Sequence, residues 1–463
     1  MLSQSRLSIV CKSLIFLAGV LLLLPPASLS QEIKVRYLNY SDVRDTVLLF
    51  AGSGLPGSEI ADADTWDVWV REQDKDVRKR VDRGVEDSIS NLILYGTSFT
   101  HLPRLQAAET SISTAGELSE KAQARVHALA IALRTASRVE RIQFVRQFLL
   151  RKRIAQDQLD EFLTENLKRF ANEQRDYQQR LEEAGKATDP VEVLLTRGTL
   201  YQSRGLSVDT SLLPNYALED TLRTMTSKGA LTPSKIKRIA VIGPGLDFTD
   251  KRDGYDFYPL QTIQPFAVLE AVQRLNPTAQ EDIEVVTFDL NPAVNSHIAL
   301  LARNGKAGRA YVVQLPRDTS ADWSASAVAY WEHFGEILGT RAKPLPVPPA
   351  LGSVTLRAVA IAPSYAARLA PMDLNIVAQT ADFPAGQGFD LVIATNVLVY
   401  YDRFQQAIAM ANIARLMNPD GIFLCNSVLP AQHNPQLAYL GRRTVTYSES
   451  RAYGDDVVAY QKR

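Results

Sequence analysis

Short apolar runs alternate with helical stretches through the second half of the chain, and this alternation restricts the possible folds more than any other feature of the sequence. The runs that we expect to form strands are residues 238–242, 283–289, 375–382, 389–396 and 422–426. Apolar residues at helical spacing predict helices over 263–275 and 403–417. Strands this apolar are buried on both faces, so the pattern predicts an α/β fold with a Rossmann-like, doubly wound parallel sheet.

Two further runs near the end of the chain alternate apolar and polar residues. They cover residues 443–447 and 456–460 and flank a Gly-Asp-Asp turn. Such alternation is typical of strands with one exposed face, and a short connection between them allows antiparallel pairing. We therefore expect a terminal antiparallel hairpin beside the parallel sheet.

An excursion at about residues 304–372 interrupts the alternation. It carries Trp323, Trp331 and a proline-rich stretch at 343–349. Long excursions in compact domains either cover a ligand or elaborate the surface. The sequence alone leaves both roles open.

The first half of the chain has a mainly helical pattern. Apolar residues recur at helical spacing over residues 119–152 and again over 155–185, where the final glycine favours a helix end. These stripes either face a partner or form a core between packed helices, and the core is the simpler interpretation. A turn-rich stretch follows at 227–234. We predict a mainly α-helical domain of unassigned role over residues 31–230 and a sheet domain over 231–463.

The first residues of the chain have the order of a secretory signal peptide. Arg6 and Lys12 precede an uncharged apolar run at 14–24, and small residues follow up to Ser30. The run is shorter than the ~20 residues that span a bilayer, which favours cleavage over an anchor. We expect residues 1–30 to direct export to the periplasm or the exterior, or to anchor the chain if uncleaved. A start site set too early would instead make the protein cytoplasmic.

Charge and cysteine content exclude several classes of function. The 51 basic and 51 acidic residues give a formal net charge of zero, so no overall field attracts nucleic acid or an anionic membrane. The sequence thus has no strong nucleic-acid signal, although it leaves a local basic patch open, and we expect membrane contact only through an uncleaved leader. Cys11 lies in the leader, which leaves Cys425 without an internal disulfide partner and without the ligands of a cysteine-based zinc site.

Candidate binding residues follow the predicted strands. In doubly wound sheets, ligands bind beyond the carboxyl ends of the strands. Gly243-Pro244-Gly245 follows the first strand, Asp289 closes the second, and Asp382-Phe383 closes the third. Glycines let the backbone approach a ligand, and a carboxylate can accept hydrogen bonds from ribose hydroxyls. The full dinucleotide motif is absent because Phe248 replaces its last glycine, which disfavours a dinucleotide site.

The fourth strand and the segments after it resemble class I S-adenosylmethionine-dependent methyltransferases. The matching residues are FDLVIATNVLVYYD at 389–402 and IARLMNPDG at 413–421. The chemotaxis-receptor methyltransferase branch is the most similar, with an Asn-Val-Leu-x-Tyr-type segment and a Leu-x-Pro-Gly-Gly-type turn. Asp420 replaces the first glycine of that turn. The resemblance runs from about Lys237 to the end of the chain and does not reach the helical half.

The resemblance implies S-adenosylmethionine as cofactor and methyl transfer to an unidentified acceptor by in-line displacement. It places the glycines at the methionine part, Asp289 at the ribose, Asp382 and Phe383 at the adenine, and Asn396 beside the sulfonium. The implied cofactor-binding residues are Gly243, Pro244, Gly245, Asp247, Asp289, Leu290, Asp382, Phe383, Asn396 and Val397.

The chain departs from the family pattern around the first strand. Family members commonly carry an acid two residues before the first glycine, where this chain has Val241. Asp247, on the other side of the turn, is the candidate replacement. The first loop is also enlarged, and its residues 249–260 include Tyr255 and Tyr258, which either face the acceptor or pack within the loop.

Methyl transfer from a sulfonium needs mainly proximity, orientation and exclusion of water. We therefore expect neither a catalytic triad nor a metal site. Tyr400 and Tyr401 are the candidate catalytic residues by position, and one of them is expected to be in the core because successive strand-end residues point in opposite directions.

The leader supports a second hypothesis. S-adenosylmethionine is made in the cytosol, so an exported methyltransferase needs a cofactor supply. The alternative is an exported, non-catalytic binding or scaffold protein that retains the methyltransferase fold.

Overall fold

Helices dominate the first half of the chain and alternate with strands in the second. The structure is a computed structural model and describes residues 33–50, 60, 62–105, 117–186, 201, 204–249, 255–277, 283–384, 386–426, 436–450 and 453–463. The helices are α1 (Tyr40–Phe50), α2 (Ala63–Tyr95), α3 (Glu120–Arg134), α4 (Glu140–Arg151), α5 (Leu159–Lys186), α6 (Leu213–Ser227), α7 (Gln264–Leu275), α8 (Pro292–Lys306), α9 (Ala325–His333), α10 (Pro363–Ala366) and α11 (Arg403–Leu416). The predicted leader lies outside the described residues and remains a prediction.

The strands are β1 (Lys34–Tyr37), β2 (Arg238–Ile242), β3 (Glu284–Asp289), β4 (Tyr311–Asp318), β5 (Gly339–Ala342), β6 (Val354–Ile361), β7 (Leu369–Asp373), β8 (Gln379–Asp382), β9 (Phe389–Ala394), β10 (Met417–Cys425), β11 (Leu437–Thr446) and β12 (Gly454–Lys462). Seven of them form the central sheet in the order β11-β12-β10-β9-β2-β3-β7. The strands from β10 to β7 are parallel, whereas β12 is antiparallel to both of its neighbours. This confirms the predicted doubly wound sheet and its terminal hairpin.

The third parallel strand is not the one predicted. The strand next to β3 is β7, and the predicted run at 375–382 contributes only β8, which lies outside the central sheet. Pro371 explains the error, because a proline within a run argues against a central strand. The sheet places this proline in an edge strand, where one side of the backbone needs no partner.

The predicted excursion is shorter than expected, because its last residues form β7. Its main part is a three-stranded antiparallel sheet in the order β4-β6-β5, with α9 packed against it. Trp331 of α9 is buried and donates its indole N–H to the carbonyl of Leu315 in β4 at 3.0 Å. The excursion is thus a folded element with its own hydrogen-bonded sheet.

The helical stripe predicted over 119–152 forms two helices, α3 and α4. The backbone becomes extended at Thr135. The guanidinium of Arg146 in α4 then donates to the carbonyls of Ala132 and Leu133 at 2.9 and 2.8 Å. The last carbonyls of a helix lack partners within it, so this contact satisfies the end of α3. The second predicted stripe forms α5.

The first described strand, β1, pairs with a strand from the second half of the chain. Strand β1 pairs antiparallel with β8, with Lys34 opposite Asp382. A small apolar core next to this ladder contains Leu38, Trp66 of α2 and Phe404 of α11, and the indole N–H of Trp66 donates to the carbonyl of Leu38 at 2.7 Å. The ladder and its core join the two halves.

The main core is also shared between the halves. It contains Ile89 and Leu92 of α2 together with Val241 of β2 and Ile393 of β9. Residues 34–463 form one compact unit, and the domain boundary near residue 230 remains a prediction. Within the described ranges, no helix is both long enough and apolar enough to cross a membrane.

Candidate functional site

A cavity of about 550 Å³ lies at the carboxyl ends of β2, β3 and β9, which is where doubly wound sheets bind ligands. The sheet half contributes Ile242, Gly243, Gly245, Gln264, Phe288, Asp289, Leu290, Asn291, Leu374, Ile376, Thr395, Asn396, Val397, Val399, Tyr400, Tyr401, Asn426, Tyr453 and Asp455. The helical half contributes Val81, Tyr201, Leu206, Ser207, Val208, Asp209, Thr210, Ser211 and Pro214. We call these two sets the sheet wall and the helical wall.

The turn after β2 requires glycine at two positions. Gly243 and Gly245 have φ angles of 66° and 65°, in the left-handed region that other residues rarely adopt. A Cβ on Gly243 would lie 2.5 Å from Cγ2 of Val397, and one on Gly245 would lie 2.7 Å from the carbonyl oxygen of Val208. The turn therefore brings bare backbone to the cavity between the two walls.

Asp289 closes β3 and faces the same turn. Its carboxylate accepts a hydrogen bond from the backbone N–H of Asn291 at 2.8 Å, and it also accepts from the backbone of Gly245 and Leu290. Burial raises the pKa of Asp289 to about 6, against the opposing effect of these N–H donors. Above that pH the group is a carboxylate able to accept hydrogen bonds from hydroxyls of a ligand.

Asn396, just after β9, has a strained backbone. Its φ is 58°, a left-handed value that is uncommon for a residue with a side chain, although asparagine tolerates it better than most. Asn426, at the end of β10, holds this conformation: its Oδ1 accepts from the Asn396 N–H at 2.8 Å, and its Nδ2 donates to Asn396 Oδ1. Strain of this kind concentrates at functional sites. The side chain of the next residue, Val397, packs against Gly243.

Tyr400 and Tyr401 both line the cavity but differ in burial. Tyr401 is 2% exposed, and burial raises the pKa of its hydroxyl well above the usual range. Tyr400 is partly exposed, with its ring centroid 6.0 Å from that of Tyr201 on the helical wall. Its carbonyl accepts from Arg80 of α2 at 2.7 Å. As expected, one of the pair is in the core, and Tyr400 has the more accessible ring.

The structure does not bring Asp382 and Phe383 to the cavity. Asp382 forms ion pairs with Arg36 and Arg415, each at 2.8 Å, and the hydrogen bond from Arg36 is the main reason that its pKa is lowered. The ring of Phe383 packs against Phe389, with centroids 5.1 Å apart. Asp382 is the last residue of β8 and Phe383 follows it; because β8 is outside the central sheet, the adenine contacts assigned to these residues are not supported by their position.

Two residues after β7 occupy the place expected for Asp382 and Phe383. Leu374 and Ile376 line the cavity, and each is 2% exposed. They lie on the far side of β3 from the glycine turn, next to Leu290. The sequence did not indicate them, because the apolar run at 375–382 that predicted the third strand lies later in the chain than β7.

Asp247 and Pro244 are not among the described residues lining the main cavity. Asp247 lines a neighbouring cavity of about 60 Å³, and it accepts hydrogen bonds from the Tyr258 hydroxyl and from Nε2 of Gln261, both at 2.9 Å. Tyr255 and Tyr258 are buried, which favours packing over contact with an acceptor. Asp247 therefore holds the enlarged loop together.

The position of the helical wall is determined by the close approach of two backbone segments. A Cβ on Gly84 of α2 would lie 1.6 Å from the carbonyl oxygen of Leu206. Beyond that contact, the N–H of Leu246 donates to Val208 at 2.8 Å, and the N–H of Thr210 donates to Leu246 at 3.1 Å. Gly84 is itself a sequence signal for this wall, since a glycine inside a helix is unfavourable unless packing requires it.

A buried arginine also joins the helical half to the sheet half. Arg141 of α4 is 1% exposed, and its guanidinium donates to the backbone carbonyls of Asp247, Phe248 and Tyr258. It satisfies carbonyls of the enlarged loop that would otherwise be buried without a donor. The loop behind the glycine turn is thus positioned from the helical half.

The charged side chains among the described lining residues of the cavity are all acidic. Its described lining includes Asp209, Asp289 and Asp455, but no Lys, Arg or His. Throughout the described ranges, no group of three or more His, Cys, Asp or Glu side chains could hold a metal ion. The site has the composition of a pocket for an uncharged or cationic organic ligand.

No family model and no curated protein matches the chain. Solved structures with similarity include the N-methyltransferase NodS from Bradyrhizobium japonicum WM9 in complex with S-adenosyl-L-homocysteine, at 12% identity and a TM-score of 0.26, covering 62% of this chain and 98% of that one. Another is the magnesium protoporphyrin IX methyltransferase ChlM from Synechocystis PCC 6803 with bound SAM, at 9% identity and a TM-score of 0.24, covering 63% and 91%. A third is an O-methyltransferase family protein from Burkholderia thailandensis, at 12% identity and a TM-score of 0.24, covering 63% and 70%. The strand order of the central sheet itself shows the α/β fold: a parallel sheet with an antiparallel hairpin at one edge.

Proposed function

We propose that the protein binds S-adenosylmethionine and transfers its methyl group to an acceptor. One observation carries the proposal: the cavity gathers Gly243, Gly245, Asp289 and Asn396 from the ends of three neighbouring strands. The glycine turn, Asp289 and Asn396 are far apart in sequence, and the family resemblance assigns each of them to the cofactor.

The residues present fit the cofactor. Asp289 would accept hydrogen bonds from the ribose hydroxyls, and the bare backbone of the glycine turn would lie against the methionine part. Leu290, Leu374 and Ile376 would flank the nucleobase, in place of the residues expected from the sequence. When bound, the cofactor supplies a methyl group already activated on a sulfonium. The protein then needs to orient the acceptor and exclude water, and the helical wall covers the cavity for this purpose.

The finer assignments are also proposals. Residues 389–402 support kinship with the chemotaxis-receptor branch, and the position of Tyr400 supports its contact with an acceptor. The order of residues in 1–30 supports export. Sequencing the N-terminus of protein purified from its host tests export, since cleavage predicts a first residue at Gln31 and an intact Met1 contradicts it.

Isothermal titration of the full chain with S-adenosylmethionine and S-adenosylhomocysteine tests the main proposal. We expect both to bind, and we expect Asp289→Ala to weaken binding at least a hundredfold. Asp382→Ala is the matched control, because it removes an acid that the sequence also assigned to the cofactor but that lies outside the cavity. Absence of binding to the wild-type chain, or equal losses in the two variants, would overturn the proposal.

A further inference from the structure

The cavity extends beyond the residues assigned to the cofactor. It continues past Asn426, at the end of β10, to Tyr453 and Asp455 at the start of β12. Four strand spacings separate β12 from β3 in the sheet order, which is roughly 19 Å at ~4.8 Å per spacing. With the nucleoside at Asp289, the β12 end of the cavity is left for a second ligand.

Asp455 provides a carboxylate at this end. Its Oδ2 accepts a hydrogen bond from the Tyr447 hydroxyl at 2.6 Å, which fixes the orientation of the group. Burial raises the pKa of Asp455, so its affinity for a proton exceeds that of an ordinary aspartate. The neighbouring Asp456 accepts hydrogen bonds from Arg442 and Thr444 and is not among the described residues that line the cavity. The two adjacent acids thus have different surroundings.

The remaining lining is suited to a cation. None of the described lining residues carries a positive charge that would compete for Asp455. Tyr453, Tyr400 and Tyr201 add aromatic rings, whose faces attract organic ammonium groups by about 0.5–2 kcal/mol. An acceptor with a carboxylate or phosphate would find no positively charged side chain among the described lining residues.

We propose that the acceptor is an amine, bound at the β12 end of the cavity with Asp455 as its carboxylate partner. This rests on the proposed function and names its substrate class. Asp455 binds the ammonium form and takes one proton, which passes on to water. The freed nitrogen lone pair forms the new N–C bond as the S–C bond breaks, and the electron pair of that bond stays on sulfur.

Binding of three small probes tests the proposal in the full chain saturated with S-adenosylhomocysteine. The probes are benzyltrimethylammonium, benzyl alcohol and benzoate, which share a ring and differ in charge. We expect the cation to bind at least tenfold more tightly than the alcohol, and benzoate to bind least. In Asp455→Asn, the affinity for the cation should fall at least tenfold while that for S-adenosylhomocysteine stays within twofold. Asp456→Asn is the matched control and should change neither.

Contrary outcomes separate the two proposals. If S-adenosylhomocysteine binds but benzoate binds as tightly as the cation, or if Asp455→Asn keeps full affinity for the cation, the amine assignment is wrong and the proposed function stands. If S-adenosylhomocysteine does not bind to the wild-type chain, the proposed function itself fails. Should Asp455→Asn not fold, the order of the three probes on the wild-type chain decides alone.

Discussion

The two walls of the cavity are held in place by different interactions. On the sheet wall, Asp289 and Asn396 end strands whose positions are set by continuous backbone ladders, and β2 pairs with β3 on one side and β9 on the other. On the helical wall, residues 206–211 lie outside the regular helices and strands and are held by the close approach of Leu206 to Gly84 and by a few backbone hydrogen bonds, such as those of Val208 and Thr210 with Leu246. A ladder keeps its register when one contact is lost, whereas a segment held by so few contacts does not. We therefore expect substitutions on the helical wall to affect stability most, and those on the sheet wall to affect ligand chemistry most.

The largest effect on stability is expected from Gly84→Ala. The new Cβ would lie 1.6 Å from the Leu206 carbonyl oxygen, so α2 or the helical wall must move. The cost should be about 3 kcal/mol of unfolding free energy, at the upper end for overpacking and despite the better helix propensity of alanine. Urea unfolding measures it, and cofactor affinity should fall as the wall moves.

Gly352→Ala is the control for this substitution. Its φ is −56°, and the nearest atom to its new Cβ is 4.0 Å away, so the unfolding free energy should change by less than about 0.5 kcal/mol. Equal effects at the two glycines would show that the close approach does not support the helical wall.

A smaller effect, confined to ligand binding, is expected from pH on the sheet wall. Because the pKa of Asp289 is about 6, affinity for S-adenosylhomocysteine should fall as pH drops from 7 to 5, by up to tenfold per unit below 6. Asp289→Asn should flatten this profile, measured by titration calorimetry at each pH. Asp382→Asn should leave the profile as in the wild type, because the pKa of Asp382 is lowered and lies below this range.

The same group affects the stability of the ligand-free protein with the opposite trend. A folded pKa raised above the unfolded value means that protonation favours the folded state, so this contribution is complete below about pH 4 and is lost as pH rises through 6. Asp289→Asn should remove that dependence from the unfolding free energy. A profile unchanged in the variant would contradict the assigned pKa.

The smallest changes in unfolding free energy are expected at two strained residues that do not line the cavity, one in each half of the chain. Arg153 follows α4 with a φ of 57°, in the position that favours glycine after a helix. Arg153→Gly should therefore raise the unfolding free energy by about 1 kcal/mol. Asp420, at 62°, should gain less from Asp420→Gly, about 0.5 kcal/mol, because aspartate tolerates this conformation better than arginine. Thermal unfolding of both variants measures the difference, and destabilisation by either would contradict the strain.

The difference between strand ladders and long-range contacts also explains which site residues could be predicted from the sequence. Gly243, Asp289 and Asn396 could be located because each follows an apolar strand, and a local pattern is enough to place a strand end. Leu374 and Ile376 could not, because Pro371 obscured the edge strand before them. The helical wall had no signal beyond a glycine within a helix, since its position depends on contacts between segments more than a hundred residues apart, such as that of Gly84 with Leu206.

Strand β1 cannot reach its partner until most of the chain is available. Arg36 bonds to Asp382, 346 positions further along the chain. Closing so long a loop costs conformational entropy before the contact can stabilise anything, so the first strand is among the last elements to be placed. Until then, Trp66 and the apolar residues around it are exposed to solvent, because the later residues of this core are not yet in place. A chain still being synthesised would expose this surface to other molecules, and synthesis of the segment that carries β8 and α11 is therefore also the step that protects it from aggregation.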